Sequence, residues 1–274
     1  MSGIALVLSG GGAKAAAHLG VYKALEHWEL IPSRYVGTSM GAVVGACLAA
    51  GLGYEETLVR MAAIRRHDVA AISPGALLGY FSRSFLRGDR LRDTIAHLLP
   101  VRRFRELHYP LTVTAVDIQN GQLTLFGADG RDEVPLVDAL YASCALPVYY
   151  PAARIGGRTY VDGGLRAVLP IDVAGSFDPD LIVAVNVGPS LHDETSGRAA
   201  ALPPLVRHHG EVLRVMMAAQ TELEIERWRG RSDVVLVQPV TEAEATFALE
   251  SVGQYVGDGY RAAVRALVDH SRDR

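Results

Sequence analysis

The sequence predicts an α/β fold, and three stretches carry that prediction. Ile4-Ala5-Leu6-Val7-Leu8 is an unbroken apolar run that stops at a glycine triplet, which marks a buried strand, and a helix follows to about Trp28. Tyr35-Val36 leads through Gly37-Thr38-Ser39-Met40-Gly41 into the apolar run Met40–Leu52, a second strand–turn–helix unit. Leu181–Val187 is a further buried strand, and Tyr255–Val268 closes the chain as a helix.

The chain has 274 residues, 49% of them hydrophobic and 21% charged, which suits one sizeable domain with an ample core. No internal repeat and no domain boundary interrupts residues 1–274. Met40–Leu52 is 13 residues long, broken by Gly45 and Gly51, and apolar on all sides. That is well short of the ~20 residues a bilayer span needs, so it reads as a helix buried in the middle of the fold. Tyr54–Ile64 looks helical. Leu111–Asp117 and Gln122–Phe126 form a hairpin about Asn120-Gly121, a strong short turn signal. Val137–Ser143 is a short helix, and Tyr149-Tyr150-Pro151 is an aromatic patch suited to the wall of a pocket. Thr159-Tyr160-Val161 is a short strand that Asp162-Gly163-Gly164 ends. Residues 188–204 read as a surface loop, Leu205–Arg229 as a long amphipathic helix and Val234–Val237 as the last strand.

Composition removes several function classes. A net charge of −3 gives nucleic-acid binding no global support. Cys47 and Cys144 lie in apolar contexts, with neither a disulfide framework nor metal-ligand spacing. The N-terminus has no basic region ahead of its apolar run, so a cytoplasmic protein is expected. Residues 65–107 stand apart, with nine arginines, no lysine and four acids, a local charge of +5. Apolar residues interleave with them, including Tyr80, Phe81, Phe85 and Leu86. The stretch reads as short helices laid over the sheet. A solvated amphipathic face accounts for that composition; the sharper reading is a cover in peripheral contact with an anionic membrane surface.

Two glycine-rich turns carry the chemistry. Gly37-Thr38-Ser39-Met40-Gly41 is a G-x-S-x-G turn between a strand and a helix, the context of a nucleophile elbow. Gly37 and Gly41 leave room where strand and helix pass closely. The helix that follows points its N-terminus at Ser39. Ser9-Gly10-Gly11-Gly12-Ala13-Lys14-Ala15 also joins a strand to a helix, but Ala15 breaks the G-x-G-x-x-G dinucleotide pattern, and no G-K-[ST] of a P-loop occurs. A plain flexible loop between strand and helix accounts for the triplet; the better use is as a cluster of backbone N–H donors for an oxyanion. Lys14 reads as a solvated first-turn residue. Ser39 needs a base. Four histidines follow Asp162, at 192, 208, 209 and 270; none ends a strand or is followed by a glycine pair, since His208 and His209-Gly210 lie at the start of an amphipathic helix and His270 in the tail. Asp162 meets both conditions, yet Asp-Gly is a common turn, repeated at Asp129-Gly130 and Asp258-Gly259, and spacing leaves the choice of base open.

Ser9-Gly10-Gly11-Gly12-Ala13-Lys14, Gly37-Thr38-Ser39-Met40-Gly41, Ser143-Cys144-Ala145-Leu146-Pro147 and Asp162-Gly163-Gly164 occur in this order, and together they resemble the patatin-like phospholipases. The resemblance implies a three-layer α/β/α sandwich with a mostly parallel central sheet. It implies a lipid acyl hydrolase with Ser39 as nucleophile, Asp162 as base and no histidine. It also implies an oxyanion hole from the backbone amides of Gly10, Gly11, Gly12 and Ala13, with Gly37, Gly41, Gly163 and Gly164 as motif support and neither metal nor cofactor. Ala15 departs from the family's loop, which usually has a glycine there. The alternatives are the same chemistry on a non-phospholipid ester or thioester, and a catalytically silent lipid-responsive regulator. An α/β-hydrolase with a Ser-Asp-His triad is disfavoured because only one strand precedes the elbow.

Overall fold

The computed structural model describes residues 3–73, 84–191, 204–239 and 249–272. Among the described residues eight strands form one sheet: β1 (Ile4–Leu8), β2 (Pro32–Thr38), β3 (Leu111–Asp117), β4 (Gln122–Gly127), β5 (Ala153–Ile155), β6 (Arg158–Asp162), β7 (Leu181–Val185) and β8 (Val234–Val237). Their order is β5-β6-β3-β2-β1-β7-β8, with β4 also paired to β3. The pairs β3–β2, β2–β1, β1–β7 and β7–β8 are parallel. The β4, β5 and β6 pairings are antiparallel. The sheet is therefore mixed, with a parallel centre.

Strand alternation assigns the two faces. Leu6 and Leu8 of β1, with Tyr35, Val183 and Val185, enter the larger core beneath α1 (Ala17–His27), α2 (Met40–Ala49) and α9 (Val252–Arg272). Ala5 and Val7, with Val36, Ile182 and Ala184, enter a smaller core on the other face with residues of α7 (Ile171–Gly175) and α8 (Pro204–Trp228). Helices thus cover both faces of a central sheet. The apolar α2 is buried from Gly41 to Ala49, as its composition requires. Two glycines set how closely α1 and α9 cross: a β-carbon on Gly20 would strike the Val256 carbonyl, and one on Gly259 the Ala17 carbonyl. Among the described residues no helix is long and apolar enough to cross a membrane.

Several expectations change in detail. The first helix is two pieces, a 3₁₀ turn over Gly12–Ala16 and then α1; Gly12 opens the turn with a left-handed φ of 58°. Lys14 is not a solvated first-turn residue. It is 5% exposed, and its amino group lies 3.5 Å from the Gly188 carbonyl oxygen, because the loop after β7 folds over the turn. The stretch 65–107 contains α4 (Arg66–Val69), α5 (Gly88–Leu98) and a 3₁₀ turn at Phe104–Glu106; residues 74–83 lie outside the described residues. Of the surface loop expected over 188–204, residues 192–203 do too. Strand β5 is new. Its three residues are too few for a periodic pattern, and Gly156 and Gly157, both at positive φ, turn it into β6.

Candidate active site

Sheet register brings the two candidate residues together. Thr38 of β2 lies opposite Thr114 of β3, and the next β3 residue, Ala115, lies opposite Asp162 of β6. Ser39 follows Thr38, so it reaches Asp162 across β3 at the level of Ala115. Its Oγ donates a hydrogen bond to Asp162 Oδ2 at 2.9 Å.

The elbow is strained and tightly held. Ser39 has φ 54° and ψ −133°, a conformation that costs a non-glycine residue on the order of 1–3 kcal/mol. Its carbonyl accepts from the Ala42 and Val43 N–H groups at 2.9 and 3.3 Å, and its own N–H donates to Ser143 Oγ at 2.8 Å. One residue earlier, the Thr38 hydroxyl donates to the Ala167 carbonyl and meets the Thr114 hydroxyl, both at 2.7 Å. Gly37 leaves space for the backbone of Ala42, and Gly41 lies against the carbonyl oxygens of Leu8 and Ser9; a β-carbon at either position would collide with backbone. α2 begins at Met40, so its partial positive end faces the serine.

Asp162 is 3% exposed. Burial pushes its carboxyl up from 3.8 to about 6, while the Gly164 N–H and the Ser39 hydroxyl pull the other way. The Gly164 N–H donates to Oδ1 at 2.7 Å, which leaves Oδ2 for the serine. Gly163 lies against Thr114 and Gly164 beneath Met217 of α8, so the turn has no space for side chains. Among the described residues no histidine is hydrogen-bonded to Ser39 or Asp162. His208 pairs with Glu211 on the surface, His27 meets Tyr260, and His18 bonds the Ser9 carbonyl. His192 lies outside the described residues.

The glycine loop follows β1, the strand flanked by β2 on one side and β7 on the other. This is the position at which open α/β sheets form their crevice. The Gly10 N–H is not a free oxyanion donor: it is spent on the Val168 carbonyl at 3.0 Å. The N–H groups of Gly11, Gly12 and Ala13 have no acceptor among the described residues. They open a 3₁₀ turn, where backbone donors are naturally left over. Ala15 is fully buried, so the methyl that departs from the resemblance packs into the core.

Residues 6–174 match the family model described as patatin-like phospholipase. The chain belongs to the patatin-like phospholipase family. An uncharacterized NTE family protein of Mycobacterium tuberculosis is 28% identical over 225 residues, 78% of this chain and 59% of the relative. The mouse patatin-like phospholipase domain-containing protein 7 is 30% identical over 194 residues, 70% of this chain and 14% of the relative. The chain therefore spans less than two thirds of the length of either relative. The crystal structure of VipD from Legionella pneumophila superposes with a TM-score of 0.53 at 16% identity, over 98% of this chain and 67% of that one, a likeness of fold.

Around this patatin-like site, several residues take roles that their sequence context conceals. Ser143, inside the Ser143–Pro147 block, accepts from the Ser39 N–H. Cys144 is buried beside the pair, and burial together with the Asp162 charge pushes its thiol well up, so the sulfur stays protonated. Tyr150 is buried and donates to the Val69 carbonyl at 2.6 Å. The basic cover is less bare than its charge count suggests. Arg87 pairs with Asp89 and Arg92 with Asp138 of α6 (Leu136–Cys144), and Leu86 is only 4% exposed. Leu86 therefore packs inward instead of facing an interface. Tyr80, Phe81 and Arg83 lie outside the described residues.

Proposed function

We propose that the protein is a serine acyl hydrolase that cleaves an ester bond of a phospholipid or other acyl lipid, with Ser39 as nucleophile and Asp162 as the sole base. The observation that carries the reading is the 2.9 Å hydrogen bond from Ser39 Oγ to the buried Asp162 carboxylate. A carboxyl held at about 6 is ionised at neutral pH yet basic enough to share the serine proton in a transition state. The family's description supports the lipid class of substrate.

In the first half-reaction Oγ attacks the ester carbonyl carbon while its proton passes to Asp162 Oδ2. The carbonyl oxygen becomes an oxyanion held by N–H groups of Gly11, Gly12 and Ala13 and by the positive end of α2. The tetrahedral intermediate expels the alcohol, which leaves with the proton from Asp162, and Ser39 remains acylated. A water then gives its proton to Asp162 and attacks the acyl carbon. Collapse returns that proton to Ser39 and releases the fatty acid. Gly164 keeps the carboxylate in place throughout, because its bond is to the oxygen that does not carry the proton.

Contact with an anionic lipid surface through residues 65–107 belongs to the same reading, supported by the exposed side chains of Arg90, Arg102, Arg103 and Arg105. The proposal is tested with purified protein and mixed phospholipid vesicles. Free fatty acid is expected from the wild type and not from Ser39→Ala. A wild type that hydrolyses neither the vesicle lipid nor a short soluble ester would remove the proposal.

A further inference from the structure

Among the described residues His18 is the one buried histidine that touches the site's scaffold, and the reaction proposed above does not use it. It is fully buried, and its Nε2 lies 2.9 Å from the Ser9 carbonyl oxygen. A carbonyl only accepts, so Nε2 carries the proton and Nδ1 is bare. Nδ1 is itself buried and has no hydrogen-bond partner among the described residues. An unpartnered buried nitrogen is a cost that an apolar side chain of similar size would not bear. The residue is therefore poorly explained by packing, and what distinguishes it is its single bond. Burial lowers the imidazole to about 4, so the ring remains neutral and the donor remains in place throughout the range in which Asp162 is ionised.

The far end of that bond is a hub. The Ser9 N–H continues the ladder to the Val185 carbonyl at 3.1 Å, and the Ser9 hydroxyl accepts from the Val187 N–H at 2.8 Å. The Ser9 carbonyl lies between His18 and Gly41 of the elbow helix, close enough that Gly41 has no room for a β-carbon. This carbonyl and the Gly10 N–H belong to one planar peptide unit. His18 holds the oxygen end of that plane, and the Val168 carbonyl accepts from the N–H end at 3.0 Å. A plane pinned at both ends fixes the direction in which the chain leaves Gly10, and so the aim of the Gly11, Gly12 and Ala13 amides. Glycine has no Cβ to hold that direction unaided.

We propose that His18 is a positioning residue for the oxyanion hole: its Nε2–H locks the Ser9–Gly10 peptide so that the following amides converge beside Ser39. The inference rests on the hydrolase reading for its kinetic readout, and one arm of its test does not. The side-chain amide of glutamine places a donor close to where imidazole Nε2 stands; asparagine and leucine do not. His18→Leu and His18→Asn are therefore expected to lower kcat on a short soluble ester by about tenfold to a hundredfold with KM within about twofold, a part of what losing an oxyanion donor outright costs. His18→Gln should remain within about threefold of wild type. Amide hydrogen exchange of the peptide that spans Gly10–Ala13 should quicken in the leucine and asparagine variants and stay slow in the glutamine variant, whether or not the protein has the proposed activity. If His18→Leu fails to fold, the asparagine–glutamine comparison decides. Wild-type kcat and exchange in a folded leucine or asparagine variant would overturn the inference, as would a glutamine variant no better than asparagine. An inactive wild type would count against the hydrolase reading alone and leave the exchange result standing.

Discussion

Replacing Asp162 with asparagine should make the protein more stable and nearly inactive. The carboxyl is fully enclosed, and burial raises its pKa from 3.8 to about 6, a shift of roughly two units. At 1.36 kcal/mol per unit, keeping that group ionised in the fold costs about 3 kcal/mol at neutral pH. The sign follows from which state holds the proton. Below the unfolded value both states are protonated and the cost is absent. It grows as pH rises through the interval, because the unfolded chain ionises first, and is complete above about 6. Asparagine removes the charge and keeps a carbonyl oxygen for the Gly164 N–H, so most of the cost should be relieved, about 1–3 kcal/mol. For a chain of this size that is a few degrees in Tm for each kcal/mol. Turnover should fall about 10²–10⁴-fold, the usual worth of a general base. Denaturant melts of both proteins between pH 4 and 8, with ester turnover alongside, measure both quantities. The stability gap should open as pH rises and close near pH 4. An asparagine variant that is less stable at pH 7, or that keeps wild-type turnover, would refute the reasoning.

Two further outcomes follow from the same geometry. The wild-type kcat/KM should fall about tenfold per pH unit below pH 6, as Asp162 takes up a proton, and be level above it; a pH–rate profile that stays flat down to pH 5 contradicts the raised carboxyl. Arg102→Glu/Arg103→Glu should weaken sedimentation with anionic vesicles at low salt more than tenfold while leaving soluble-ester turnover unchanged, since each basic residue near such a surface is worth about 1 kcal/mol. Equal sedimentation of the two proteins would make those arginines ordinary solvated residues.

Much of the frame could be read from local patterns. The apolar run of β1, the Asn120-Gly121 hairpin, the all-apolar α2 and the strand at Val234–Val237 each depend on residues adjacent in the chain, and each falls close to where its pattern puts it. The Ser39 and Asp162 turns converge because β2, β3 and β6 are neighbours, the glycine loop joins them from β1 beside β2, and the end of α6 brings in Ser143, which no single block reveals. What stayed hidden depends on residues far apart in sequence. The Gly10 N–H is spent because Val168 returns beside it, and Lys14 is buried because Gly188 does. The Ser143 block is visible as a motif, but its bond to Ser39 is not, and His18 meets Ser9 through packing with no periodicity or motif spacing to announce it. Strand β5 is too short to have a period, and α7 is a single turn after Pro170.

The central claim is that Ser39 is the activated hydroxyl, and labelling tests it most directly. A fluorophosphonate reacts only with a serine that has a base and an oxyanion site beside it. Peptide mass spectrometry of the labelled protein should find the phosphonyl adduct on Ser39 and nowhere else, and none on Ser39→Ala. Adduct on another residue, or equal labelling of Ser39→Ala, would contradict the account.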